Sequence, residues 1–202
     1  MSQATNAPSP SPMQTILAFD TATSVTACAL LHSGAVVGEC EAEAKSLLVA
    51  ADSLVRAAGL QPSDIDGVVV GVGPGSFTSI RIGLAVARGL ALGLDVPVAG
   101  APTFAAFAGG RAVIDARRGE VFTEDGVSLP GDLIVEGEVL VGDGAIRYRA
   151  VFEAAGAVVP PDDDPSHRPS AALLVGAAGH FGAAADVLPA YFREPDAKPS
   201  AG

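Results

Sequence analysis

The sequence predicts an α/β fold on a mixed sheet, and three observations carry that reading. Residues 67–71, GVVVG, form a short continuous apolar run, the pattern of a central parallel strand. Two helical segments, 45–58 and 78–94, flank it. Three short β-forming runs precede them in close succession. The resulting order, β-β-β-α-β-α, suits two antiparallel strands followed by parallel strands reached through helical crossovers.

The first strand is expected over 15–20, TILAFD. The next two, 25–31 and 35–42, meet at Ser33 and Gly34, a two-residue hairpin turn. Positions paired across that turn sum to 67, which sets Cys28 opposite Glu39 and points Cys40 to the other face. In that register the two cysteines do not bond, and both are expected as reduced thiols of a cytoplasmic protein. Within 45–58, Leu47, Ala51, Leu54, Val55 and Ala58 recur at helical spacing, and Gly59 supplies the stop. Residues 71–76 make a turn, 78–94 a helix, 97–100 a short strand, 103–108 a short helix and 112–115 a strand. Further on, 121–124, 134–136 and 139–141 read as strands, 144–155 as a helix, 160–169 as a loop and 170–185 as an alanine-rich helix. The order of the first half is that of the ribonuclease-H-like unit, which actin-like ATPases carry twice.

Residues 1–13 are Pro/Ser-rich, with neither a basic start nor an apolar run, and read as a disordered tail. Met13, just before the first strand, is a candidate start. A first lobe is expected over 14–100 and a second over 101–202. The 202 residues suffice for a proper core, and with 49% hydrophobic but only 5% aromatic residues that core is built from Ala, Val, Leu and Ile. Few aromatics argue against base-stacking platforms. The formal charge, 12 − 23 = −11, repels phosphate backbones, which argues against direct tRNA or DNA binding by this chain alone.

Residues 71–78, GVGPGSFT, link the buried strand to a helix, and such a turn has room for a phosphate. The P-loop lysine is missing, and Ser76 stands where the dinucleotide fingerprint needs its third glycine. Gly73, Gly75 and Ser76 are therefore either a nucleotide contact or a tight strand-to-helix turn. Asp20 ends the first strand and either holds magnesium, as in actin-like ATPases, or caps the turn that follows it. Asp115, Arg117, Arg118 and Glu120 cluster beside a strand, as ligand contacts or as locally paired charges. His32, His167 and His180 show no metal-binding spacing, and no G-x-S-x-G elbow occurs.

The segment 78–94 is the odd element. Its charges are Arg81 and Arg88, seven residues apart and on one face. Gly83, Ala87 and Ala91 form one small-residue stripe, and Ala85, Gly89 and Gly93 another. A helix apolar all round is covered on both sides. The sheet covers one side, and the other is expected to meet a partner chain or the second lobe.

ILAFDTAT at 16–23, GVGPGSFTSIRIGLAVARGLALGLDVPVAGAPTF at 71–104 and IDARRGEVF at 114–122 together resemble the TsaB (YeaZ) family. VGDGAIRY at 141–148 and PAYFR at 189–193 resemble it more loosely. The resemblance implies the actin-like ATPase (ASKHA) fold of two ribonuclease-H-like lobes, the second one shortened here, and no catalysis by this chain alone. It implies a supporting role for TsaD, the metal-bearing enzyme that transfers threonylcarbamoyl to N6 of adenosine 37 in tRNAs reading codons that begin with A. TsaE, an ATPase, joins that complex. TsaB pairs with TsaD or with itself through helices of the first lobe, here Leu47, Ala51 and Leu54 with Ile80, Gly83, Leu84, Ala87, Arg88, Leu90 and Ala91. No cofactor is expected in the lone chain, with ATP or ADP placed at most at a partner interface. The alternative is an actin-like ATPase using Asp20 and the turn at 73–76.

Overall fold

The computed structural model describes residues 13–193, so the tail expected over 1–13 lies, apart from Met13, outside the described residues. Three strands open the chain, β1 (Thr15–Asp20), β2 (Thr26–His32) and β3 (Ala35–Ala42). A 3-10 turn at Ala44–Ser46 leads into α1 (Leu47–Ala57). Then come β4 (Gly67–Gly71), α2 (Phe77–Leu94) and β5 (Val98–Ala101). The five strands form one sheet in the order β3-β2-β1-β4-β5. β1 pairs antiparallel with β2 and parallel with β4, and β4 pairs parallel with β5. This is the predicted mixed sheet.

Alternating residues send each strand's side chains to opposite faces. One face carries Leu17, Phe19, Cys28, Leu30, Val68 and Val70 and is covered by α1 and α2. The other carries Ala18, Ala27, Ala29, Val69 and Ala99 and packs against Phe104, Ile114, Phe122 and Leu174. The small side chains on that face let the second layer approach closely.

The β2–β3 register differs from the expected one. Ser33 and Gly34 both lie at positive φ, 51° and 80°, and set His32 opposite Ala35 as a two-residue turn requires. A bulge then intervenes: Leu31 pairs with Val36 but Leu30 pairs with Gly38, which leaves Val37 as the extra residue. Cys28 consequently faces Cys40. Without the bulge, Glu39 and Glu41 would turn under α1. With it, Gly38 sits beneath Leu54, and the two glutamates reach Ser170 and Arg168 on the opposite side. Avoiding two carboxylates in an apolar interface is the physical reason for the slip.

The second half is a small core around Val113, Val121, Leu140, Ala145 and Phe152. Here β6 (Arg111–Ala112) pairs in parallel with β10 (Leu140–Val141). β7 (Ile114–Arg117), β8 (Glu120–Thr123) and β9 (Gly126–Ser128) form an antiparallel meander. The strand expected at 134–136 is irregular chain, with Val135 buried. The helix expected at 144–155 is two, α3 (Asp143–Arg147) and α4 (Arg149–Ala154), broken at Tyr148. The alanine-rich helix expected at 170–185 shrinks to α5 (Ala171–Leu174) and a 3-10 turn at Val175–Ala177. Gly176, Gly179 and Gly182 weaken helix there, and the backbone finds better use at the free edge of β5. Gly179 N–H donates to Gly100 O, and Val98 and Gly182 exchange both backbone bonds. That pairing covers an otherwise open sheet edge.

Candidate functional site

Asp20 closes β1 and is fully buried. Ala22 N–H donates to its Oδ1 at 2.6 Å, and the Thr103 hydroxyl donates to its Oδ2 at 2.7 Å. Burial pushes the carboxyl above the ordinary aspartate range, and these two donors pull it part of the way back. The carboxylate thus caps its own turn, the second of the two roles open to it. Thr103 was not foreseen: its only signal was its place just after β5.

The turn at 73–76 is filled by the chain itself. The Gly73–Pro74 peptide is cis. Gly73 N–H donates to Thr103 Oγ1, and Thr103 N–H donates back to Gly73 O. Ser76 N–H donates to Ala22 O at 2.7 Å. A Cβ on Gly75 would fall onto the Ala22 carbonyl, and one on Gly71 would fall inside the Asp20 carboxylate. These glycines are required by the close approach of two loops. Ser76 caps α2, its Oγ accepting from Ser79 N–H at 3.4 Å.

Beside this closed turn lies an open cleft of about 600 Å³. Thr23, Ser24, Ser76, Thr78 and Ser79 line one wall, and Asp115, Arg117, Arg118 and Asp143 another. Asp20 does not line it. The charges there are locally paired: Asp115 with Arg117 at 3.1 Å and with Arg147 at 3.7 Å, and Glu120 with Arg193. Asp143 Oδ1 accepts from Asp115 N–H, and burial raises its carboxyl, helped by the neighbouring Asp115 charge. His167 donates and accepts within the fold, between Pro160 O and Gly142 N–H. Among the described residues no group of three or more His, Cys, Asp or Glu is placed to hold a metal ion.

The two small-residue stripes of α2 separate cleanly. Ile80, Gly83, Leu84, Ala87 and Ala91 pack on the sheet, and a Cβ on Gly83 would crowd the Thr21 hydroxyl. Ile82, Ala85, Gly89, Leu92 and Gly93 face outward, with Leu92 88% exposed and nothing within 4 Å of where a Cβ would stand on Gly89 or Gly93. Of the residues expected to meet a partner, Leu47, Ala51, Ile80, Gly83, Leu84, Ala87 and Ala91 are buried within this chain. Leu54 and Leu90 are half-buried, and Arg88 is exposed. Leu48 and Val49 add exposed apolar surface on α1. α2 is also long and apolar enough to cross a membrane by length and composition, yet one side of it is core.

The flank of α2 is covered by the C-terminal segment. Arg88 donates to Ala184 O and Val187 O, and Arg81 Nε–H donates to Tyr191 Oη at 3.0 Å. The Arg81 guanidinium lies 3.7 Å over the Phe77 ring, which itself sits 4.7 Å from Tyr191. The paired arginines of α2 are thus the anchors of a strap over residues 184–193.

These features define an α/β protein whose strand–turn–helix unit is tied to neighbouring loops by Ala22 and Thr103 and whose second crossover helix keeps an apolar outer face. The chain is 34% identical over 204 residues to the uncharacterized protein Rv3421c of Mycobacterium tuberculosis, covering 94% of this chain and 96% of that one. It is 37% identical over 121 residues to the tRNA threonylcarbamoyladenosine biosynthesis protein TsaB of Escherichia coli, covering 53% and 52%. Residues 38–129 match the family described as TsaD, tRNA N6-adenosine threonylcarbamoyltransferase. The fold matches the crystal structure of an uncharacterized protein with similarity to peptidase YEAZ from Pseudomonas aeruginosa with a TM-score of 0.74 and 28% identity, covering 90% of this chain and all of that one. The chain belongs to the TsaB (YeaZ) family.

Proposed function

We propose that this chain is a non-catalytic, cytoplasmic subunit that supports a TsaD-type enzyme in placing threonylcarbamoyl on N6 of adenosine 37 in tRNAs reading codons that begin with A. On this reading the architecture is the two-lobed actin-like one, TsaE joins the complex, and tRNA is met through TsaD. The observation that carries the reading is the outer face of α2, where Ile82, Ala85, Gly89 and Leu92 present apolar surface to solvent. Such a face on an otherwise packed helix marks a protein contact, and its small residues admit a second helix at close range. The family relationship supports TsaD as that contact, with self-pairing as the form taken in its absence.

The actin-like ATPase alternative has weaker support. Asp20 has both carboxylate oxygens engaged, and the 73–76 turn is occupied by Ala22 and Thr103. Any nucleotide belongs to the partner junction.

The test is binding of the full chain to TsaD from the same cell, for wild type and Leu92→Glu. The variant is expected to keep its thermal midpoint and to bind at least about tenfold more weakly, the loss typical of a buried interface anchor. Wild-type affinity in Leu92→Glu would remove α2 from the contact.

A further inference from the structure

We infer that Cys28 and Cys40 are the two halves of an intrachain redox site, closing to a disulfide across the β2–β3 ladder. The inference rests on the fold and is independent of the proposed function. The bulge at Val37 makes the two cysteines direct partners in the register. Directly opposed residues of antiparallel strands hold their Cα atoms roughly 4.5–5.5 Å apart, within the range of about 4.4–6.8 Å that a disulfide spans. Both side chains lie on the face beneath α1: Cys28 belongs to the core there and Cys40 packs against it. Both are free thiols in this structure. Cys28 is buried and Cys40 half-exposed, so one sulfur is reachable from solvent and the other is shielded, an attacking and a resolving position.

The environment makes the pair slow to react. Burial, together with the Cys40 thiol and the Glu39 carboxylate, pushes the Cys28 thiol up to about 12. Burial and Glu39 also raise Cys40. Little thiolate is present near neutrality, and the thiolate is the attacking species. The site therefore answers to sustained oxidising conditions and not to brief ones.

With glutathione disulfide as oxidant, the Cys40 thiolate attacks one sulfur and expels one glutathione thiolate, which takes up a proton. Cys28 then attacks Sγ of Cys40 in the mixed disulfide and expels the second glutathione. Two electrons and two protons pass from the cysteine pair, and two reduced glutathiones leave. The bond ties the edge strand β3 to β2 beneath α1.

The experiment is equilibration of the folded full chain in glutathione redox buffers, followed by thiol titration in denaturant and intact-mass measurement. Wild type is expected to lose both thiols and two hydrogens of mass, with no glutathione retained. Its thermal midpoint is expected to rise by roughly 5 °C and to fall back with dithiothreitol. Cys28→Ser is expected to stop at a glutathione adduct on Cys40. Wild type that keeps both thiols at a glutathione poise that oxidises a control dithiol overturns the inference. So does wild type that accumulates a stable adduct or a disulfide-linked dimer.

Discussion

A buried carboxylate with two donors is a titratable group held inside the fold, and Asp20 is that group here. Its carboxyl is raised by burial, so the native chain holds the proton more tightly than the unfolded chain does. The resulting stability is fully present below the unfolded aspartate value, about 3.9, and is lost as pH rises through the raised native value. Asp20→Asn keeps the acceptor for Ala22 N–H and removes the charge. Its stability relative to wild type is expected to grow between pH 3 and pH 7 in urea unfolding, and a pH-independent difference would contradict the burial of a charge. Asp20→Ala strands Ala22 N–H and the Thr103 hydroxyl and is expected to cost about 1–3 kcal/mol.

At the scale of the element, α2 has two apolar sides with different tasks, and paired substitutions separate them. Ala87 is 1% exposed against the sheet, so Ala87→Glu buries an unpaired charge. It is expected to lower stability by about 3 kcal/mol or more in chemical denaturation, whereas Leu92→Glu leaves stability unchanged. Equal effects at the two positions would mean that the helix is turned differently. The sequence made α2 legible as a helix apolar all round, because two arginines among so many apolar residues are easily counted. It did not show which stripe meets the sheet, since Gly83, Ala87 and Ala91 read the same as Ala85, Gly89 and Gly93. The tertiary packing decides that: Gly83 meets Thr21, and Ala87 and Ala91 are buried with it, while Gly89 and Gly93 face open space. The bounds of β1, β3 and β4 were legible to the residue, because turn residues and apolar runs mark them locally. The bulge was not, because the turn fixes pairing only beside itself and the cost of burying Glu39 and Glu41 comes from α1, far along the chain. The helix expected over 170–185 failed for a related reason: its glycines serve the edge of β5, which no local pattern reports.

At the scale of the molecule, the C-terminal strap joins parts distant in sequence. Arg81 and Arg88 hold it to α2, while Arg193 donates to Ala116 O and pairs with Glu120 on the β7–β8 meander. Its side-chain anchors are largely exposed, and exposed contacts of this kind each contribute little to global stability. Local opening and global unfolding are then separable. Replacing both Arg81 and Arg88 with Ala is expected to speed limited proteolysis within 184–193 severalfold while the thermal midpoint stays within a few degrees. An unchanged cleavage rate would show that the strap is held by its apolar contacts alone. A different consequence follows from where β5 finds its cover. Val98 waits for Gly182, which the ribosome adds 84 residues later. At roughly 5–20 residues per second the nascent sheet carries a bare edge for on the order of 4–17 s. During synthesis, then, this protein is most open to misassembly with its neighbours on the same message.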